Sequence, residues 1–420
     1  MKAPFFQENR KRYFDVIADN SLTLLYSGRI KQKSNDQDYP FEVDKNFYYL
    51  TGINQDNVIF AFEKCGNDCR EILFVEKNDP IMSKWVGAKI TVEEAQAQSG
   101  IKDIRYLDTF DSYRFNIFNS TRANSSRIGM IYLNLDRRNM PGYTNWALDF
   151  AKLNQQKYPE IKISNARDLI VGLRMIKSDK EISAIKKAIN VTKNGIEAIL
   201  RGARPNMYEY QLDACFDFSL KNQGNFKLAF DTIVAAGANA TILHYTKKSA
   251  LIPKNQLVLL DLGARYGFYT SDISRTFPVT GRFTERQREI YSEVLSVNKK
   301  CIEYLRPGLT WSEFNRYSRK LLYAGLQRLQ LVEKEEDLGK YYYHSIGHFI
   351  GLDTHDPGLY NMVLKPGMVL TVEPGLYIEA EGIGVRIEDD VLITENGAEN
   401  LSAEIIKESD DIERFMITVK

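Results

Sequence analysis

The spacing of hydrophobic and polar residues changes along this chain, and the change separates two kinds of structure. Up to about residue 165 the apolar residues form short runs broken by Gly, Asn and Asp, a pattern typical of strands. Such runs occupy residues 21–27, 47–51, 58–62, 71–75 and 128–133. A helix is predicted over residues 91–98, where helix-forming residues follow a threonine cap. This part of the chain is therefore predicted to mix strands and helices.

Longer helical periods follow residues 165–179. Ser178 and Glu181 have the spacing of a capping box, and isoleucines at positions 182, 185, 189, 196 and 199 then recur with near-helical spacing. Two further helices are predicted to begin after Thr284 and Thr310, each with Gln or Glu three residues later. Strands are predicted over residues 257–262, 269–277, 369–372 and 385–393. We therefore predict an α+β protein, with an N-terminal α/β domain over residues 1–165 and a second domain over residues 175–420.

Composition narrows the classes of function. Of the 420 residues, 44% are apolar and 26% are charged, which is ordinary for a globular protein of two domains. The 56 basic and 55 acidic residues give a net charge of +1, so charge provides no reason to expect nucleic acid or an anionic membrane as a partner. Apolar runs of about 18 residues and a secretory signal pattern are lacking, so we expect a cytoplasmic protein. The four cysteines agree with a reducing compartment, and Cys65 and Cys69 are expected to lie in a plain turn.

All four histidines fall in two short stretches. His244 stands in I-L-H-Y, whereas His344, His348 and His355 stand within the thirteen residues H-S-I-G-H-F-I-G-L-D-T-H-D. Histidines placed for packing alone would not concentrate in this way in a chain that has so few of them. Their concentration indicates a chemical site.

Four carboxylates lie in segments whose neighbours predict strands, namely Asp261, Asp272, Glu373 and Glu388. Buried carboxylates are stable only when they are paired or bound to a cation. Asp261 and Asp272 flank G-A-R-Y-G, so a hairpin would place them side by side, where they would repel each other unless a cation lay between them. Arg386 lies two residues before Glu388 on a predicted strand, so the two face the same way and the arginine can brace a carboxylate.

The donor set predicts the kind of metal. His344 and His348 have the spacing of the H-E-x-x-H zinc helix, but Ser345 replaces the glutamate and Gly347 weakens a helix, so a zincin is not expected. Four carboxylates and one imidazole are mostly hard oxygen ligands, which favour Mn²⁺ or another first-row dication. Four negative charges balance two divalent ions, which predicts a dinuclear hydrolase.

Five segments, taken together, resemble the ligand motifs of the pita-bread metallopeptidases. They are L-D-L-G (260–263), S-D-I-S-R-T-F-P (271–278), H-S-I-G-H-F-I-G-L-D-T-H-D (344–356), T-V-E-P-G-L-Y-I (371–378) and G-I-G-V-R-I-E-D-D (382–390). The wider chain, including D-Y-P-F and N-F-Y-Y-L-T-G between residues 38 and 52, resembles the Xaa-Pro aminopeptidase (aminopeptidase P) group of that family. The resemblance implies a creatinase-like N-terminal domain, a C-terminal pita-bread catalytic domain, and hydrolysis of the bond between an N-terminal residue and a following proline.

The same resemblance implies a metal-binding role for five residues. Two divalent ions, expected to be Mn²⁺, would be held by Asp261, Asp272, His348, Glu373 and Glu388. Asp272 and Glu388 would bridge the two ions. Glu373 would also carry the proton of the nucleophilic water.

The resemblance further implies residues that contact or shape the substrate site. His244 and His355 would steady the substrate carbonyl and the leaving group. His344 and Tyr377 would shape the same pocket, and Arg386 would brace the metal ligands during catalysis. The expected partner is a peptide with proline at its second position, and the N-terminal domain is expected to mediate a homodimer or homotetramer.

Several alternatives remain open at this point. A prolidase, which cleaves Xaa-Pro dipeptides, would share the fold and the ligands and would differ in how substrate length is limited. A non-catalytic peptide-binding relative would usually lack some ligands, and a creatinase-like enzyme would lack the metal-binding set. A methionine aminopeptidase would normally lack the preceding domain.

Overall fold

The structure is a computed structural model and describes residues 1–119, 128–137, 143–225 and 227–418. It divides into two compact units, unit 1 (Met1–Arg174) and unit 2 (Met175–Lys420). Both units combine helices with strands, which confirms the predicted α+β class. Within the described ranges, no helix is both long enough and apolar enough to cross a membrane.

Unit 1 is built on one six-stranded sheet. In chain order its elements are α1 (Ala3–Phe14), β1 (Ser21–Tyr26), α2 (Lys45–Thr51), β2 (Ile59–Cys65), β3 (Asp68–Val75), α3 (Ser83–Val86), α4 (Val92–Ser99), β4 (Asp103–Tyr106), α5 (Phe110–Asn119), β5 (Met130–Leu133), α6 (Trp146–Lys157), β6 (Lys162–Asn165) and α7 (Ala166–Met175). The strand order is β4-β3-β2-β1-β5-β6. β1, β2 and β3 pair antiparallel, whereas β4, β5 and β6 join the sheet as parallel strands.

Side chains along the strands point alternately to the two faces of this sheet, and both faces are buried. One face contributes alternate residues to a cluster that also contains aromatic residues of α5 and α6. Its strand members include Leu22, Leu24, Ile59, Ala61, Ile72 and Phe74. On the opposite face, Tyr13 of α1 packs its ring edge-to-face on Phe62, and its hydroxyl lies 2.9 Å from the Thr23 hydroxyl. Helices therefore cover the sheet on both sides.

Two details of unit 1 were decided by contacts that periodicity does not reveal. The strand predicted over residues 47–51 is wrong, because this run forms helix α2. The Asp44 carboxylate caps that helix by accepting from the Phe47 amide at 2.8 Å, and Gly52 ends it at φ +72°. Cys65 and Cys69 lie in the β2–β3 hairpin, where Cys65 is opposite Asp68, so the two cysteines point to opposite faces. Both thiols are free.

Unit 2 contains longer helices and several small sheets. Its elements are α8 (Asp179–Gly202), α9 (Glu209–Asn222), β7 (Ile233–Ala236), β8 (Leu257–Leu262), β9 (Arg265–Tyr266), β10 (Tyr269–Thr270), β11 (Ile273–Pro278), α10 (Glu285–Tyr304), α11 (Trp311–Arg328), β12 (Val369–Val372), β13 (Gly375–Ile378), β14 (Ile383–Arg386), β15 (Asp389–Thr394), β16 (Gly397–Asn400) and α12 (Ser409–Thr418). The predicted capping boxes are present at the starts of α8, α10 and α11.

The strands of unit 2 pair into sheets of two and three. β11-β8-β7 and β12-β15-β16 form two three-stranded sheets, while β9-β10 and β13-β14 form two-stranded ribbons. Two strands predicted as continuous, over residues 269–277 and 385–393, are each interrupted. The first breaks at Ser271–Asp272 and the second at Ile387–Glu388. Each break places a carboxylate where the chain leaves one sheet and enters another.

Candidate metal centre and active site

Unit 2 contains a cavity of about 520 Å³ that gathers the predicted site residues. Its wall includes His244, Asp261, Asp272, His344, His348, His355, Glu373, Arg386 and Glu388. Of the residues predicted for the site, Tyr377 is the one behind this wall, where its hydroxyl contacts His344 and Arg386. The cavity therefore unites parts of the chain that are more than one hundred residues apart in sequence.

Different elements bring the four carboxylates together. Asp261 lies on β8, Asp272 lies between β10 and β11, Glu373 follows β12, and Glu388 lies between β14 and β15. The prediction that Asp261 and Asp272 sit side by side on paired strands is wrong in register, because Asp261 is opposite Ser274. The carboxylates nevertheless meet, since ligand oxygens of Asp261, Asp272 and Glu388 lie within 4.8 Å of one another.

His348 enters the site from a loop that is tied to β12. The Thr371 hydroxyl accepts from the His348 amide at 3.0 Å, and the Thr371 amide donates to the His348 carbonyl at 2.8 Å. Gly347 makes this approach possible, because a Cβ there would lie 2.1 Å from the Thr371 carbonyl oxygen. The His348 Nε2 atom consequently lies 3.3 Å from Asp272 Oδ2 and 3.8 Å from Glu373 Oε1.

Three groups of side chains have the spacing of a metal site within the described residues. Ligand atoms lie within 4.8 Å of one another in the sets Asp261–Asp272–Glu388, His348–Glu373–Glu388 and Asp272–His348–His355. Asp272, His348 and Glu388 each belong to two sets. His355, predicted as a substrate residue, is thus also within reach of a ligand position, and its ring centroid lies 4.1 Å from that of His348.

The electrostatics of the carboxylates are those of a site made for a cation. Burial, followed by the charge of neighbouring carboxylates, raises the pKa of Asp272 and of Glu373 well above the usual value. The same two causes raise the pKa of Glu388 to about 8. Asp261 Oδ1 and Asp272 Oδ1 are buried and have no hydrogen-bond partner among the described residues. Unpartnered buried oxygens next to mutually repelling carboxylates fit a divalent cation.

The imidazole of His348 is also suited to a metal. Burial, together with the nearby His355, lowers the pKa of His348 to about 4, so the ring is neutral at physiological pH. Its Nδ1 lies 3.0 Å from the Phe349 carbonyl oxygen, which can only accept, so Nδ1 carries the proton. The lone pair of Nε2 is then directed at the carboxylates.

Arg386 connects the ligands to the residues behind them. Its guanidinium donates to Asp261 Oδ2 at 2.6 Å, to the Ser274 hydroxyl at 2.9 Å and to the Tyr377 hydroxyl at 3.0 Å. Ser274 in turn donates to Glu388 Oε2 at 2.7 Å. Arg386 and Glu388 do not share one continuous strand as predicted, but Ser274 touches both.

His344 lies at the end of the same chain of hydrogen bonds. Its Nε2 is 2.8 Å from the Tyr377 hydroxyl, and its Nδ1 is 2.8 Å from the Ser345 carbonyl and 3.6 Å from Glu373 Oε2. Burial and the charge of Arg386 lower the pKa of His344 to about 4, so this ring is neutral as well. Nδ1 therefore donates, and Nε2 accepts from the tyrosine.

Sequence reasoning missed an apolar wall of the cavity. Leu243, Trp311 and Tyr360 line it, and the Trp311 and Tyr360 rings pack edge-to-face with centroids 4.9 Å apart. The one available signal was the position of Trp311 directly after a helix cap, where an exposed polar residue is usual. Tyr360 lies in an irregular segment and gave no signal.

The comparisons with known proteins cover both units. Residues 183–395 match the sequence pattern of Metallopeptidase family M24, and residues 6–125 match that of the Aminopeptidase P, N-terminal domain. A Haemophilus influenzae protein named Xaa-Pro aminopeptidase is 34% identical over 98% of this chain and 96% of its own length.

Solved structures give the same result. A Bacillus anthracis protein assigned to aminopeptidase P is 47% identical, with a TM-score of 0.97 over 100% of this chain and 99% of that one. Escherichia coli aminopeptidase P, solved with the inhibitor Pro-Leu, is 29% identical, with a TM-score of 0.91 over 100% of this chain and 99% of that one. The similarity therefore extends over both units rather than over the metal-binding motifs alone.

Proposed function

This chain belongs to metallopeptidase family M24, and from that membership we propose that it is a metal-dependent aminopeptidase that hydrolyses the bond between an N-terminal residue and a following proline. The observation that carries the proposal is the cavity of unit 2. There, overlapping sets of metal-ligand atoms lie beside neutral histidines and an apolar wall. A peptidase that acts before proline needs such a combination, since the substrate has both a polar carbonyl and an apolar ring.

We assign the metal-binding role to Asp261, Asp272, His348, Glu373 and Glu388, which together would hold two divalent ions. Asp272, His348 and Glu388 each belong to two ligand sets. Of these three, only the carboxylates have two ligand oxygens, so Asp272 and Glu388 would be shared by both ions. The oxygen-rich donors favour Mn²⁺ over metals that prefer sulfur ligands. When bound, the metal centre would supply Lewis-acid activation of water and of the substrate carbonyl.

Glu373 is suited to move a proton. Its Oε1 lies 3.8 Å from His348 Nε2, while its Oε2 faces the His344 Nδ1 atom at 3.6 Å. A carboxylate that has one oxygen beside the metal ligands and a second oxygen facing the cavity can take a proton from water and pass it to the leaving nitrogen. That step matters before proline, because the leaving nitrogen belongs to a tertiary amide and has no hydrogen of its own.

The remaining predicted residues would hold the substrate. His244 and His355 present exposed rings to the cavity, where they would steady the carbonyl oxygen and the leaving group. His344, Tyr377 and Arg386 form a hydrogen-bonded chain that would fix the shape of the pocket and the position of Asp261. These three would act by orientation rather than by proton transfer.

Unit 1 would mediate assembly into a homodimer or homotetramer. Its short helix α3 and the residues before it expose Ile81, Trp85 and Val86, with Trp85 81% exposed. Exposed apolar groups of this kind are typical of interfaces. Light scattering at micromolar concentration would then give a mass of two or four chains, and a monomer would contradict the proposal.

The free thiols of all four cysteines agree with a cytoplasmic location.

One experiment tests the proposed activity and separates it from the alternatives. Protein stripped of metal is assayed on Xaa-Pro-Xaa tripeptides and on Xaa-Pro dipeptides, with Mn²⁺, Co²⁺ and Zn²⁺ added back one at a time. We expect no turnover without metal and cleavage of the tripeptide with Mn²⁺. Cleavage of the dipeptide alone would indicate a prolidase, and binding without turnover under any metal would indicate a non-catalytic peptide-binding protein.

Two substitutions and a control connect that activity to the site. Asp272→Asn and Glu388→Ala should abolish turnover, because each removes a carboxylate charge that the metal ions need. Cys65→Ser should leave turnover intact, because Cys65 lies in the β2–β3 hairpin of unit 1. Full activity of either carboxylate variant would contradict the assignment.

A further inference from the structure

The loop that carries His244 has little regular structure. It runs from the end of β7 through a 3₁₀ turn, Gly237–Thr241, and then continues as an irregular chain to residue 250. His244 stands in a turn of this loop with an exposed ring, and no hydrogen bond of the described residues involves that ring. The position of the imidazole therefore depends on how firmly the surrounding backbone is held.

One buried side chain holds this loop on both sides of His244. Glu209, the first residue of α9, is fully buried, and each of its carboxylate oxygens accepts two hydrogen bonds. Oε1 accepts from the Ala236 amide at 2.8 Å and from Asn239 Nδ2 at 2.9 Å. Oε2 accepts from the Tyr245 hydroxyl at 2.8 Å and from the Ala250 amide at 3.1 Å.

The contact to Tyr245 connects this carboxylate directly to the histidine. Tyr245 follows His244, and its ring belongs to a buried cluster that includes Tyr377, with Leu243 packed against it. The Tyr245 hydroxyl also lies 3.0 Å from Asn239 Nδ2, so the donors around Glu209 contact one another. The residues on either side of His244 are therefore anchored, and its ring is left to project into the cavity.

We propose that Glu209 is a positioning residue that fixes the His244 imidazole against the substrate. This inference rests on the proposed function, because it takes His244 to be a substrate contact. Glu209 itself does not line the cavity and would touch neither substrate nor metal. It would act by removing the freedom of a loop whose flexible state would leave the imidazole misplaced, and misplacement of a reacting group costs rate.

A carboxylate is the side chain that this position requires. All four partners are donors, and an ionised carboxylate accepts through both oxygens without carrying a hydrogen. A glutamine of the same shape would turn an NH₂ group toward two donors and lose two of the four bonds. Glu209→Gln therefore changes the hold on the loop while keeping the volume of the side chain. Tyr245→Phe removes only one of the four donors.

The test is a double-mutant cycle on the Mn²⁺-loaded protein with an Xaa-Pro-Xaa substrate. We expect His244→Ala to lower kcat/KM on the order of 100-fold, as loss of one oriented donor does. Glu209→Gln should lower it about 10- to 100-fold, the usual effect of a supporting hydrogen-bond partner, and Tyr245→Phe by less. In the His244→Ala background, Glu209→Gln should change kcat/KM by less than about twofold, because the group that it positions is already absent.

Two further readouts separate positioning from general damage. Affinity for Mn²⁺, measured by calorimetry, should be the same in Glu209→Gln as in the parent protein, since the ligands lie on other segments. The second readout is the NMR spectrum of zinc-loaded protein labelled with ¹⁵N-histidine. Because the chain has only four histidines, each imidazole signal can be assigned by substituting one histidine at a time. The His244 signal should shift or broaden in Glu209→Gln while the other three stay in place.

Glu181→Gln is a matched control in the same unit. Glu181 is also a buried carboxylate in the first turn of a helix, but its partners are Ser178 and the Tyr269 hydroxyl, outside the His244 loop. This variant should lose stability while its His244 signal stays unchanged.

Three results would overturn the inference. The first is a Glu209→Gln protein with parental kcat/KM and an unmoved His244 signal. The second is a further large loss of kcat/KM when Glu209→Gln is added to His244→Ala. The third is a Glu209→Gln protein that loses affinity for Mn²⁺ along with its activity. If Glu209→Gln does not fold, Tyr245→Phe decides by the same readouts. If His244→Ala keeps parental activity, the substrate role of His244 in the proposed function is wrong, and the spectra still show whether Glu209 fixes the ring.

Discussion

Replacing Lys177 with methionine is expected to destabilise unit 2 strongly, because it would remove the ammonium that pairs with a buried carboxylate. The Lys177 ammonium lies 3.1 Å from Asp356 Oδ2, and each of the two side chains is 1% exposed. Asp356 also accepts from the Asp353 amide at 3.2 Å, and its own amide donates to the Phe349 carbonyl at 2.8 Å. The pair thus closes the loop that carries His348 and His355 at its two ends.

The size of the effect follows from burial. Removing one partner of a buried ion pair typically costs about 3–5 kcal/mol, because the remaining charge loses the attraction that offsets its removal from water. In a unit of this size each kcal/mol lowers the melting temperature by about 2–4 °C, so Lys177→Met should lower it by about 6–20 °C. Since the loop carries a proposed metal ligand, affinity for Mn²⁺ should fall as well, by about 10- to 100-fold.

Urea unfolding followed by tryptophan fluorescence can measure this loss. Trp311 is the only tryptophan between residues 175 and 420, so its signal reports on unit 2 once Trp85 and Trp146 are replaced by phenylalanine. Lys186→Met is the matched control, because Lys186 pairs with Glu399 on the surface, where both side chains are about half exposed. Such pairs contribute at most about 1 kcal/mol, so this variant should unfold close to the parent protein.

A second substitution should rescue the first. Combining Lys177→Met with Asp356→Leu replaces the ion pair by apolar side chains of similar volume, which is commonly neutral or stabilising. The double variant should therefore recover most of the stability that Lys177→Met loses. If Lys177→Met unfolds at the urea concentration of the parent protein, or if the double variant is less stable than both single variants, the role given to this pair is wrong.

Three other perturbations have outcomes that follow from the structure. Burial alone would raise the pKa of Asp389, but Arg275 and Lys407 hold it well below its usual value. Ionised Asp389 stabilises the fold at pH values above the pKa that aspartate has in the unfolded chain, and this stabilisation is lost as the pH falls toward its lower pKa in the folded protein. Asp389→Asn should therefore lower the free energy of unfolding at pH 7. In thermal unfolding the variant should also show a weaker dependence of stability on pH below about pH 4. Gly347→Ala would place a Cβ 2.1 Å from the Thr371 carbonyl oxygen, so it should cost about 1–3 kcal/mol or more in urea titrations and weaken Mn²⁺ binding in calorimetry. Removing divalent metal should lower the melting temperature, and saturating Mn²⁺ should restore it, adding about 4 kcal/mol at a thousand times the dissociation constant. A melting temperature independent of metal would contradict the metal centre.

Local signals predicted the helices well and the short strands less well. The starts of α8, α10 and α11 were predicted because a capping box lies within four residues and does not depend on the rest of the fold. Residues 47–51 were predicted as a strand and form a helix, because a short run that is buried on all sides has no periodicity to distinguish the two. The decisive contact was the cap at Asp44, which lies outside the apolar run.

The two strand breaks show why the site could be found while its geometry could not. Asp272 and Glu388 stand among residues that favour strands on both sides, so the sequence suggests continuous strands through them. In the structure the backbone leaves the sheet at both positions, and the Asp272 amide donates to Asp390 Oδ2 at 3.2 Å instead of to a neighbouring strand. A carboxylate inside an apolar segment can be recognised in the sequence. The acceptor of the Asp272 amide, Asp390, lies 118 residues away and cannot be identified in this way.

The same contrast separates the metal ligands from the residues that support them. A carboxylate in an apolar strand stands where a solvated side chain is not expected, so its chemistry can be inferred from the amino-acid pattern alone. Lys177 precedes a polar helix start and Glu209 begins a helix, where charged side chains are usually solvated, so neither position looks unusual. Their roles come from partners that the fold brings in, since Lys177 meets a carboxylate 179 residues away and Glu209 receives donors from both ends of the His244 loop. Supporting residues of this kind are therefore found by following buried charges to their partners, and these two give the sharpest tests of how the site is held together.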